Sequence, residues 1–343
     1  MTMIIDFITH QLTPPKSDLI EKARLGPFTR HMHDSLAAEV SALKEIEHKS
    51  IDVNLVPVDR LKIAAWNAER LKYHDASVEL VKSSGVDILL LSEADIGLAR
   101  SGNRHTVDDL ARELGFGFVY GVEFLETDLG DDREKMWHAG QTNTIGFHGN
   151  AILSRYELSN AFMIRLDDGA VWYGHPDRAD QVRFGYRMAL AAELKTAHQP
   201  LWVVCVHLES STDSEDRHHQ FQRLLEQLQL RIGDAALVIG GDLNTNALPH
   251  EDKALKRCMA DVAIIEPLFQ KAAHHNLNWT DANLPVASQR MRPDGTPKAP
   301  FTRLDWLMTR GVQVSNPLTL PAVDQNGDAI SDHEYIVINV DMN

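Results

Sequence analysis

Cysteine is scarce in this 343-residue chain, and so are long hydrophobic runs. The two cysteines, Cys205 and Cys258, are too few to form a disulfide framework in a chain of this size. No apolar stretch of the sequence is long enough to span a membrane. The first residues lack the basic start and the sustained apolar core of a secretory signal. We therefore expect no membrane insertion and a cytoplasmic protein.

Positive charge is also in short supply. Asp and Glu number 49 against 34 Lys and Arg, which gives a formal net charge of −15. A surface of this sign repels polyanions unless a local patch or a bound cation reverses the field. The balance argues against a protein that coats long duplex nucleic acid through its bulk charge. It fits better with a site in which carboxylates hold a divalent cation.

The N-terminal part of the chain differs in pattern from the rest. Residues 34–48 carry apolar side chains at helical spacing, with Asp34 or Ser35 as the expected N-cap. From residue 60 onward, short apolar runs alternate with amphipathic stretches. We therefore predict an N-terminal extension with one helix, residues 1–59, packed on a main domain of residues 60–343.

The main domain is predicted to be a layered α/β sandwich, because it has many strands, few long helices and no fixed repeat. Strands are expected at 61–66, 86–91, 150–153, 188–194, 201–206, 236–239, 304–308 and 335–340. Helices are expected at 75–84, 107–114 and 217–232. Segments 130–186 and 270–300 are rich in Gly, Pro and His, and we expect much of them, including His148, to form long surface loops.

Polar side chains stand where several of these apolar runs end. The residues concerned are Asn67, Glu93, His207, Asp242 and Asn244, then Asp305 within a late strand, and Asp332 and His333 just before the last strand. A strand that is polar only at its tip delivers that side chain to a fixed point. We expect these groups to meet in one cleft, where carboxylate and amide oxygens suit Mg²⁺.

The same residues have structural alternatives. Asp242 and Asn244 are common turn formers, and the preceding Gly240 and Gly241 either make a turn or let the backbone approach a ligand. A histidine on an apolar strand, such as His207, is often a core residue with a hydrogen-bond partner. The pattern alone leaves both interpretations open.

Seven short segments, WNAE, LLSEAD, GNAILSR, VHLES, GDLNTN, RLDW and ISDHE, occur in this order. As an ordered set they resemble the motifs of the endonuclease/exonuclease/phosphatase superfamily, the deoxyribonuclease-like metal phosphoesterases. The resemblance implies an α/β (α+β) fold, a four-layer α/β/β/α sandwich of two mixed β-sheets flanked by helices. It also implies a phosphoric ester hydrolase that uses Mg²⁺, with Mn²⁺ as an alternative, and that works by in-line attack of water on phosphorus.

The resemblance assigns metal and water chemistry to five residues. Glu93 is expected to be the main metal ligand, helped by Asn67 and Asp332. Asp242 is expected to orient or deprotonate the attacking water. Asn244 is expected to position that water or a phosphate oxygen.

Further roles fall on the histidines and on two weaker candidates. His333, with its tautomer held by Asp305, is expected to stabilise charge on the phosphate oxygens. His207 is expected to be a second phosphate contact or the acid for the leaving oxygen. Arg187 is either a phosphate contact or a surface ion pair, and Trp279 either stacks on a base or covers the edge of the core.

Two substrate classes remain open. The first is a phosphodiesterase or nuclease for nucleic acid or a nucleotide-linked adduct, with DNA or a nucleotide as the partner. VHLES followed by a helix with Arg217 and Gln220 is similar to the 5′-tyrosyl-DNA phosphodiesterases. The alternative is a phosphoesterase of small molecules or lipid headgroups. A third hypothesis, an inactive binding module, is disfavoured because the set of site residues is complete. The oligomeric state is left open.

Overall fold

The computed structural model describes residues 4–51, 59–173, 181–296 and 299–342. The strands are β1 (Ile4–Ile5), β2 (Ile8–Thr9), β3 (Ile46–Lys49), β4 (Arg60–Arg70), β5 (Ile88–Ile96), β6 (Gly117–Glu126), β7 (Phe147–Ser154), β8 (Leu158–Arg165), β9 (Arg183–Gly185), β10 (Met188–Leu194), β11 (Leu201–His207), β12 (Ala236–Asp242), β13 (Asp305–Arg310), β14 (Gln313–Leu320) and β15 (Tyr335–Asp341). The α-helices are α1 (Ser17–Leu25), α2 (Arg30–Glu39), α3 (His74–Ser84), α4 (Thr106–Leu114), α5 (Asp132–Trp137), α6 (Ser214–Ile232), α7 (Asp252–Cys258), α8 (Val262–Ile265) and α9 (Leu268–His274).

The described strands form two mixed sheets. A six-stranded sheet has the order β1-β8-β10-β11-β12-β13, and a nine-stranded sheet has the order β14-β15-β4-β5-β7-β6-β3-β2, with β9 paired to β6. The pairs β11–β12 and β4–β5 are parallel, and the strands on either side of each pair are antiparallel to it. Parallel neighbours bring the carboxyl ends of two strands to the same edge of a sheet.

Apolar side chains fill three interfaces. One lies between the sheets and includes Ile63 and Ala65 of β4. Helices α1 to α4 cover the outer face of the nine-stranded sheet, where Ala64 and Trp66 of the same strand point. Helices α6 to α9 cover the outer face of the six-stranded sheet. Because successive residues of a strand point to opposite faces, a strand buried on both faces must be apolar throughout.

This arrangement confirms the four-layer α/β/β/α sandwich. Within the described ranges, no helix is long and apolar enough to cross a membrane.

The N-terminal residues contribute strands to both sheets. β1 pairs with β8, with Ile4 opposite Ile164. β3 pairs antiparallel with β6, with Ile46 opposite Gly121. The described part of the expected extension is therefore hydrogen bonded into the main domain. Residues 52–58, next to the expected boundary, lie outside the described residues.

The single helix expected at residues 34–48 is wrong. α2 begins after Thr29, whose side chain caps it, and a separate helix, α1, precedes it. The apolar residues that suggested one helix lie in three conformations, with Leu36 in α2, Leu43 in a 3-10 turn and Ile46 in β3. All three are buried in the core, so the spacing reflects burial and not a continuous helix.

The loops expected in 130–186 are also partly wrong, because this segment contains β8 and β9, and because β7, predicted at 150–153, begins at Phe147 and includes His148. Glycine-rich sequence indicated loops here, but at least one of these glycines lies within a strand. A Cβ atom at Gly149 would lie 1.9 Å from the carbonyl oxygen of Gly121, so this glycine serves close strand packing and not a turn. The strands β1, β2, β3, β6, β8, β9 and β14 were not predicted.

Leu36→Ala tests whether the N-terminal residues belong to the core. Leu36 is fully buried, so we expect the substitution to lower the free energy of unfolding by about 2–5 kcal/mol in chemical denaturation. Leu25→Ala is the control, because it removes the same atoms from a side chain that is 77% exposed and should change stability by about 0.5 kcal/mol or less. Equally small losses in both variants would show that α2 packs only loosely.

Candidate active site

A cavity of about 790 Å³ opens where strands of both sheets end. Six of the eight residues predicted for catalysis or metal binding line it: Glu93, His207, Asp242, Asn244, Asp332 and His333. Two others lie directly behind this lining and are hydrogen bonded to it. These are Asn67, which contacts Glu93 and Asp242, and Asp305, which contacts His333. The structure therefore brings together all eight.

Strand register explains the contribution of the six-stranded sheet. The parallel pairing of β11 with β12 places His207 opposite Asp242. The antiparallel pairing of β12 with β13 places Asp242 opposite Asp305. Three polar side chains therefore stand side by side at the end of three adjacent strands.

An irregularity in the nine-stranded sheet aims Glu93 at the cavity. The register of β5 against β7 shifts between Leu91 and Ala94, and Glu93 within this shift has a φ of 57°. A left-handed backbone at a residue other than glycine is strained and is typical of functional sites. A bulge of this kind turns a side chain away from the regular alternation of the strand.

Asn67 joins the two sheets. Its Nδ2 donates to Oε1 of Glu93 and to Oδ2 of Asp242, each at 3.0 Å. The backbone carbonyl oxygen of Asn67 accepts a 2.7 Å hydrogen bond from Oγ of Ser331, and this Oγ accepts a hydrogen bond from the backbone N–H of His333. One side chain thus fixes the spacing between two carboxylates that come from different sheets.

Glu93 is held as an anion. Burial alone would raise the pKa of this carboxyl, but the positive charge of Arg70, 3.7 Å away, opposes it. His148, His207 and the Asn67 hydrogen bond act in the same direction, so the pKa of Glu93 lies well below its ordinary value. An ionised carboxylate with few competing protein donors is a suitable metal ligand.

His333 and Asp305 form a buried pair. Nδ1 of His333 lies 2.8 Å from Oδ2 of Asp305, and that oxygen also accepts from Oγ of Ser288 at 2.6 Å. Burial lowers the pKa of His333, but the charges of Asp305 and Asp242 outweigh it and raise the pKa to about 10. The imidazole is therefore positively charged at neutral pH and sits beside the cavity as a fixed cation.

His207 has a different partner. Its Nδ1 lies 3.0 Å from Nη1 of Arg187, which lines the cavity and forms ion pairs with Glu123 and Glu209. The sequence offered a surface ion pair for Arg187 as one alternative, and this is wrong because the residue is only 4% exposed. Its charge is neutralised inside the protein.

Asp242 and Asn244 form a turn and also line the cavity. The backbone N–H of Asn244 donates to Oδ1 of Asp242 at 2.9 Å, while Oδ2 accepts from Asn67. Nδ2 of Asn244 donates to the carbonyl oxygen of Leu208. The turn-forming alternative was therefore correct as local geometry, and it leaves both residues facing the cavity.

The two glycines before Asp242 are required by packing. Gly241 has a φ of 144°, and a Cβ atom there would lie 2.0 Å from the carbonyl oxygen of Val206 on β11. At Gly240 a Cβ atom would lie 2.7 Å from δ-methyl groups of Leu90 and Leu307. The absence of side chains lets the strands approach closely just where Asp242 is positioned.

Asp332 and Trp279 occupy different surroundings. The backbone N–H of Asp332 donates to Glu69, and its carboxylate lies 3.8 Å from Nε of Arg292 at the cavity wall.

Trp279 does not line the cavity. It packs against Phe269 of α9, with ring centroids 5.1 Å apart, so the base-stacking expectation for Trp279 is wrong and the core-edge alternative holds.

Sequence reasoning missed several residues that line the cavity: Arg70, Arg133, Trp137, His148 and Arg183. Arg70 directly follows the WNAE segment, and His148 directly precedes GNAILSR, so proximity to a motif could have identified both. Trp137 ends the short helix α5, and no pattern in the sequence points to it.

Two neighbouring groups of residues at the cavity could hold a metal ion. Among the described residues, Asp242, Asp305 and His333 have ligand atoms within 4.8 Å of one another. Two of the three are already hydrogen bonded to each other, at 2.8 Å. The group around Glu93 and Asn67 offers only oxygen and amide atoms, which a hard cation prefers over imidazole.

The chain matches the sequence pattern of a known protein family. The model described as the endonuclease/exonuclease/phosphatase family matches residues 64–333. The chain belongs to the endonuclease/exonuclease/phosphatase family. Family members hydrolyse phosphoester bonds, so membership implies a metal-dependent phosphoester hydrolase. No curated protein matches the chain significantly.

Solved structures agree on the fold of this family member. An endonuclease/exonuclease/phosphatase from Beutenbergia cavernae DSM 12333 is 18% identical, with a TM-score of 0.55 over 82% of this chain and 71% of that one. The human Nocturnin catalytic domain with bound sulfate anion is 19% identical, with a TM-score of 0.53 over 85% of this chain and 97% of that one. A functionally unknown conserved protein from Enterococcus faecalis V583 is 18% identical, with a TM-score of 0.53 over 82% and 99%. At these identities the likeness shows the fold alone.

Gly241→Ala tests the packing argument. We expect backbone strain to cost about 1–2 kcal/mol and the contact with Val206 to cost about 1–3 kcal/mol more, measured as free energy of unfolding by chemical denaturation. Gly233→Ala is the control, because Gly233 also has a positive φ but has nothing within 4 Å of the place that the new methyl group would take. Equal losses in the two variants would mean that the close approach of β11 and β12 is not needed.

Proposed function

We propose that this protein is a Mg²⁺-dependent phosphodiesterase that acts on nucleic acid or on a nucleotide-linked substrate. The observation that carries the hydrolase assignment is the floor of the cavity. Two carboxylates, Glu93 and Asp242, lie there on either side of Asn67, and two histidines stand beside them.

The residues present fit a divalent cation. Glu93 is ionised and Asp332 adds a second carboxylate at the cavity wall. Asn67 would hold the cation through Oδ1, which here accepts a hydrogen bond from the backbone N–H of Glu69. The N–H groups of Asn67 supply partial positive charge between Glu93 and Asp242. A cation in the cavity beside Glu93 and Asp242 would be attracted to both carboxylates. When bound, Mg²⁺ neutralises charge on the phosphate and polarises its oxygens.

The chain's own residues supply the remaining chemistry. Oδ2 of Asp242 lies 3.7 Å from Nε2 of His207 and 3.8 Å from Nε2 of His333, which leaves it at the centre of the group. In this position Asp242 orients the attacking water and accepts its proton, and Asn244 helps to place the water. The positive charge of His333 stabilises the charge that develops on the phosphate oxygens.

The surroundings of the cavity favour a nucleotide over a lipid headgroup. Arg70, Arg133, Arg183 and Arg292 line it, and its volume is within the usual range for small-molecule sites. Trp137, at the edge of the lining, is 47% exposed and lies 5.9 Å below the guanidinium of Arg133. Guanidinium groups bind phosphates, and an exposed aromatic ring stacks on a base.

Asp242→Asn tests the reaction. We expect the wild-type chain to release nitrophenolate from thymidine 5′-(p-nitrophenyl) phosphate with Mg²⁺, and to stop when EDTA removes the metal. The variant loses the proton acceptor, so its turnover should fall by about 10²–10⁴-fold. Asp18→Asn makes the same change at an exposed position of α1 and should leave the rate unchanged.

Metal binding is measured separately, so that a wrong substrate is not mistaken for a wrong site. Mg²⁺ at 100 times its Kd should stabilise the wild-type chain by about 2.7 kcal/mol, and Glu93→Gln should remove most of this gain. If Mg²⁺ stabilises the wild-type chain but the diester is not hydrolysed, the phosphodiesterase proposal fails. Phosphomonoesters, sugar phosphates and lipid headgroups would then be tested in its place.

Trp137→Ala tests the substrate class. Loss of a stacking surface costs about 1–3 kcal/mol, so kcat/KM for the thymidine diester should fall by about 5–150-fold. The value for methyl p-nitrophenyl phosphate, which has no base, should change much less. Met136→Ala is the matched control, because Met136 is the preceding residue of α5, is 68% exposed and does not line the cavity. An equal loss with both substrates would contradict base stacking.

A further inference from the structure

A further group of potential metal ligands lies outside the cavity, on the first two turns of α6. Glu215, His218 and His219 each offer one ligand atom, and these atoms all lie within 4.8 Å of one another. None of these three residues lines the cavity. The group is therefore separate from the residues proposed to bind Mg²⁺.

The spacing of the three residues along the helix explains why they converge. Residues three and four positions apart are neighbours on a helix surface, so the side chain of Glu215 meets those of His218 and His219. The two histidines are adjacent in sequence and leave the helix in different directions, but their ring centroids are only 5.6 Å apart. One side of α6 thus presents two imidazoles and a carboxylate together.

The protein itself engages these side chains only weakly. Nε2 of His219 lies 3.5 Å from Oε1 of Glu215, which is longer than a normal hydrogen bond between such atoms. Nδ1 of His218 is buried and has no hydrogen-bond partner among the described residues. A buried polar atom that the protein leaves unpaired is often explained by a bound ion or water. Both observations are consistent with a ligand that joins the three side chains.

Another pair of adjacent histidines lacks these surroundings. His274 ends α9 and His275 follows it. Burial lowers the pKa of His275, and the positive charges of Arg310 and Lys271 lower it further. Such charges repel a metal ion, whereas the carboxylate of Glu215 attracts one to the pair on α6. The pair at α9 is therefore a suitable control.

The set of donor atoms selects the kind of ion. Two imidazoles and one carboxylate suit Zn²⁺ and similar transition-metal ions, whereas Mg²⁺ prefers oxygen ligands. A tetrahedral Zn²⁺ ion with three protein ligands keeps one position for water. The group on α6 thus differs in its chemistry from Glu93, Asn67 and Asp332 in the cavity.

We propose that Glu215, His218 and His219 form a zinc site that fixes the first two turns of α6. The ion links side chains on successive turns of the helix, so local opening of these turns would require that metal–ligand bonds break. The proposal concerns metal binding alone and does not rest on the phosphodiesterase function.

A zinc ion at this place would also stabilise the loop that leads into α6. The backbone N–H of Glu209 donates to Oε1 of Gln220 at 3.1 Å, and Nη1 of Arg217 donates to the carbonyl oxygen of Thr212 at 2.9 Å. Residues 210–211 of this loop line the cavity. The same two turns that the ion fixes therefore anchor one part of the cavity wall.

Zinc binding is measured by equilibrium dialysis of the full chain against Zn²⁺. The cavity also contains possible ligands, so the decisive quantity is the difference between variants. His218→Ala/His219→Ala should bind one Zn²⁺ ion fewer than the wild-type chain. His274→Ala/His275→Ala removes a pair that is likewise one exposed and one half-buried histidine, and should bind as many ions as the wild-type chain. Equal zinc content in the wild-type chain and in His218→Ala/His219→Ala would overturn the proposal, and so would an equal loss in both double variants.

Amide hydrogen exchange locates the ion and needs only a change at an exposed side chain. Zn²⁺ should slow exchange of residues 214–221 in the wild-type chain and should have no such effect in His219→Ala, whose side chain is 61% exposed in the wild-type protein. Mg²⁺ should not slow exchange there in either chain. Protection by Zn²⁺ that persists in His219→Ala, or protection by Mg²⁺ in place of Zn²⁺, would contradict a zinc site on α6. Neither measurement requires turnover, so a failed phosphodiesterase assay would leave this result unaffected.

Discussion

The structure depends on one hydrogen-bonded bridge between its two sheets. Asn67 of the nine-stranded sheet donates to Glu93 of the same sheet and to Asp242 of the other. Two carboxylates held this close inside a protein repel each other and lose hydration, so they persist only with donors between or around them. The bridge therefore requires that the sheets pack at a fixed separation. Gly240 permits that separation, because a Cβ atom there would lie 2.7 Å from Leu90 and 3.1 Å from Ala65 of the nine-stranded sheet.

Two arginines beside this bridge are held by carboxylates of the protein. Arg70 lies 3.1 Å from Glu134 and 3.7 Å from Glu93, and Arg187 lies between Glu123 and Glu209. Each cation is paired on its protein side, which offsets the cost of burying it. Fixed charges within a cavity of low dielectric act on a ligand more strongly than the screened surface charge does. The cavity lining has six Arg and Lys residues against seven Asp and Glu residues, so the negative excess of the whole chain, −15, is nearly absent there.

Sequence reasoning located the residues at strand ends because strand register determines where their side chains lie. A buried run that ends in a polar residue has few other places to put that side chain, so Asn67, His207 and Asp242 were predictable. The bulge at Glu93 and the packing of Trp279 on Phe269 were not, since both depend on contacts with segments distant in sequence. The prediction of a single N-terminal helix was wrong for a related reason. A periodic burial pattern specifies which residues face the core, and it does not specify that they share one conformation.

The two histidines show how the fold divides tasks between residues of the same type. Nδ1 of His333 faces the carboxylate of Asp305, and this negative charge favours the protonated, positively charged imidazole. His207 has a guanidinium behind it, and an additional proton on Nδ1 would face that cation. A carboxylate, Glu123, also lies 3.4 Å from the same nitrogen, so the surroundings of His207 carry charges of both signs. The two histidines beside Asp242 therefore differ at Nδ1, because that of His333 faces the carboxylate of Asp305, whereas that of His207 faces an arginine whose charge Glu123 and Glu209 balance. Residues of one type can thus serve two tasks, since the fold sets the charge on the side of each ring that faces away from the cavity.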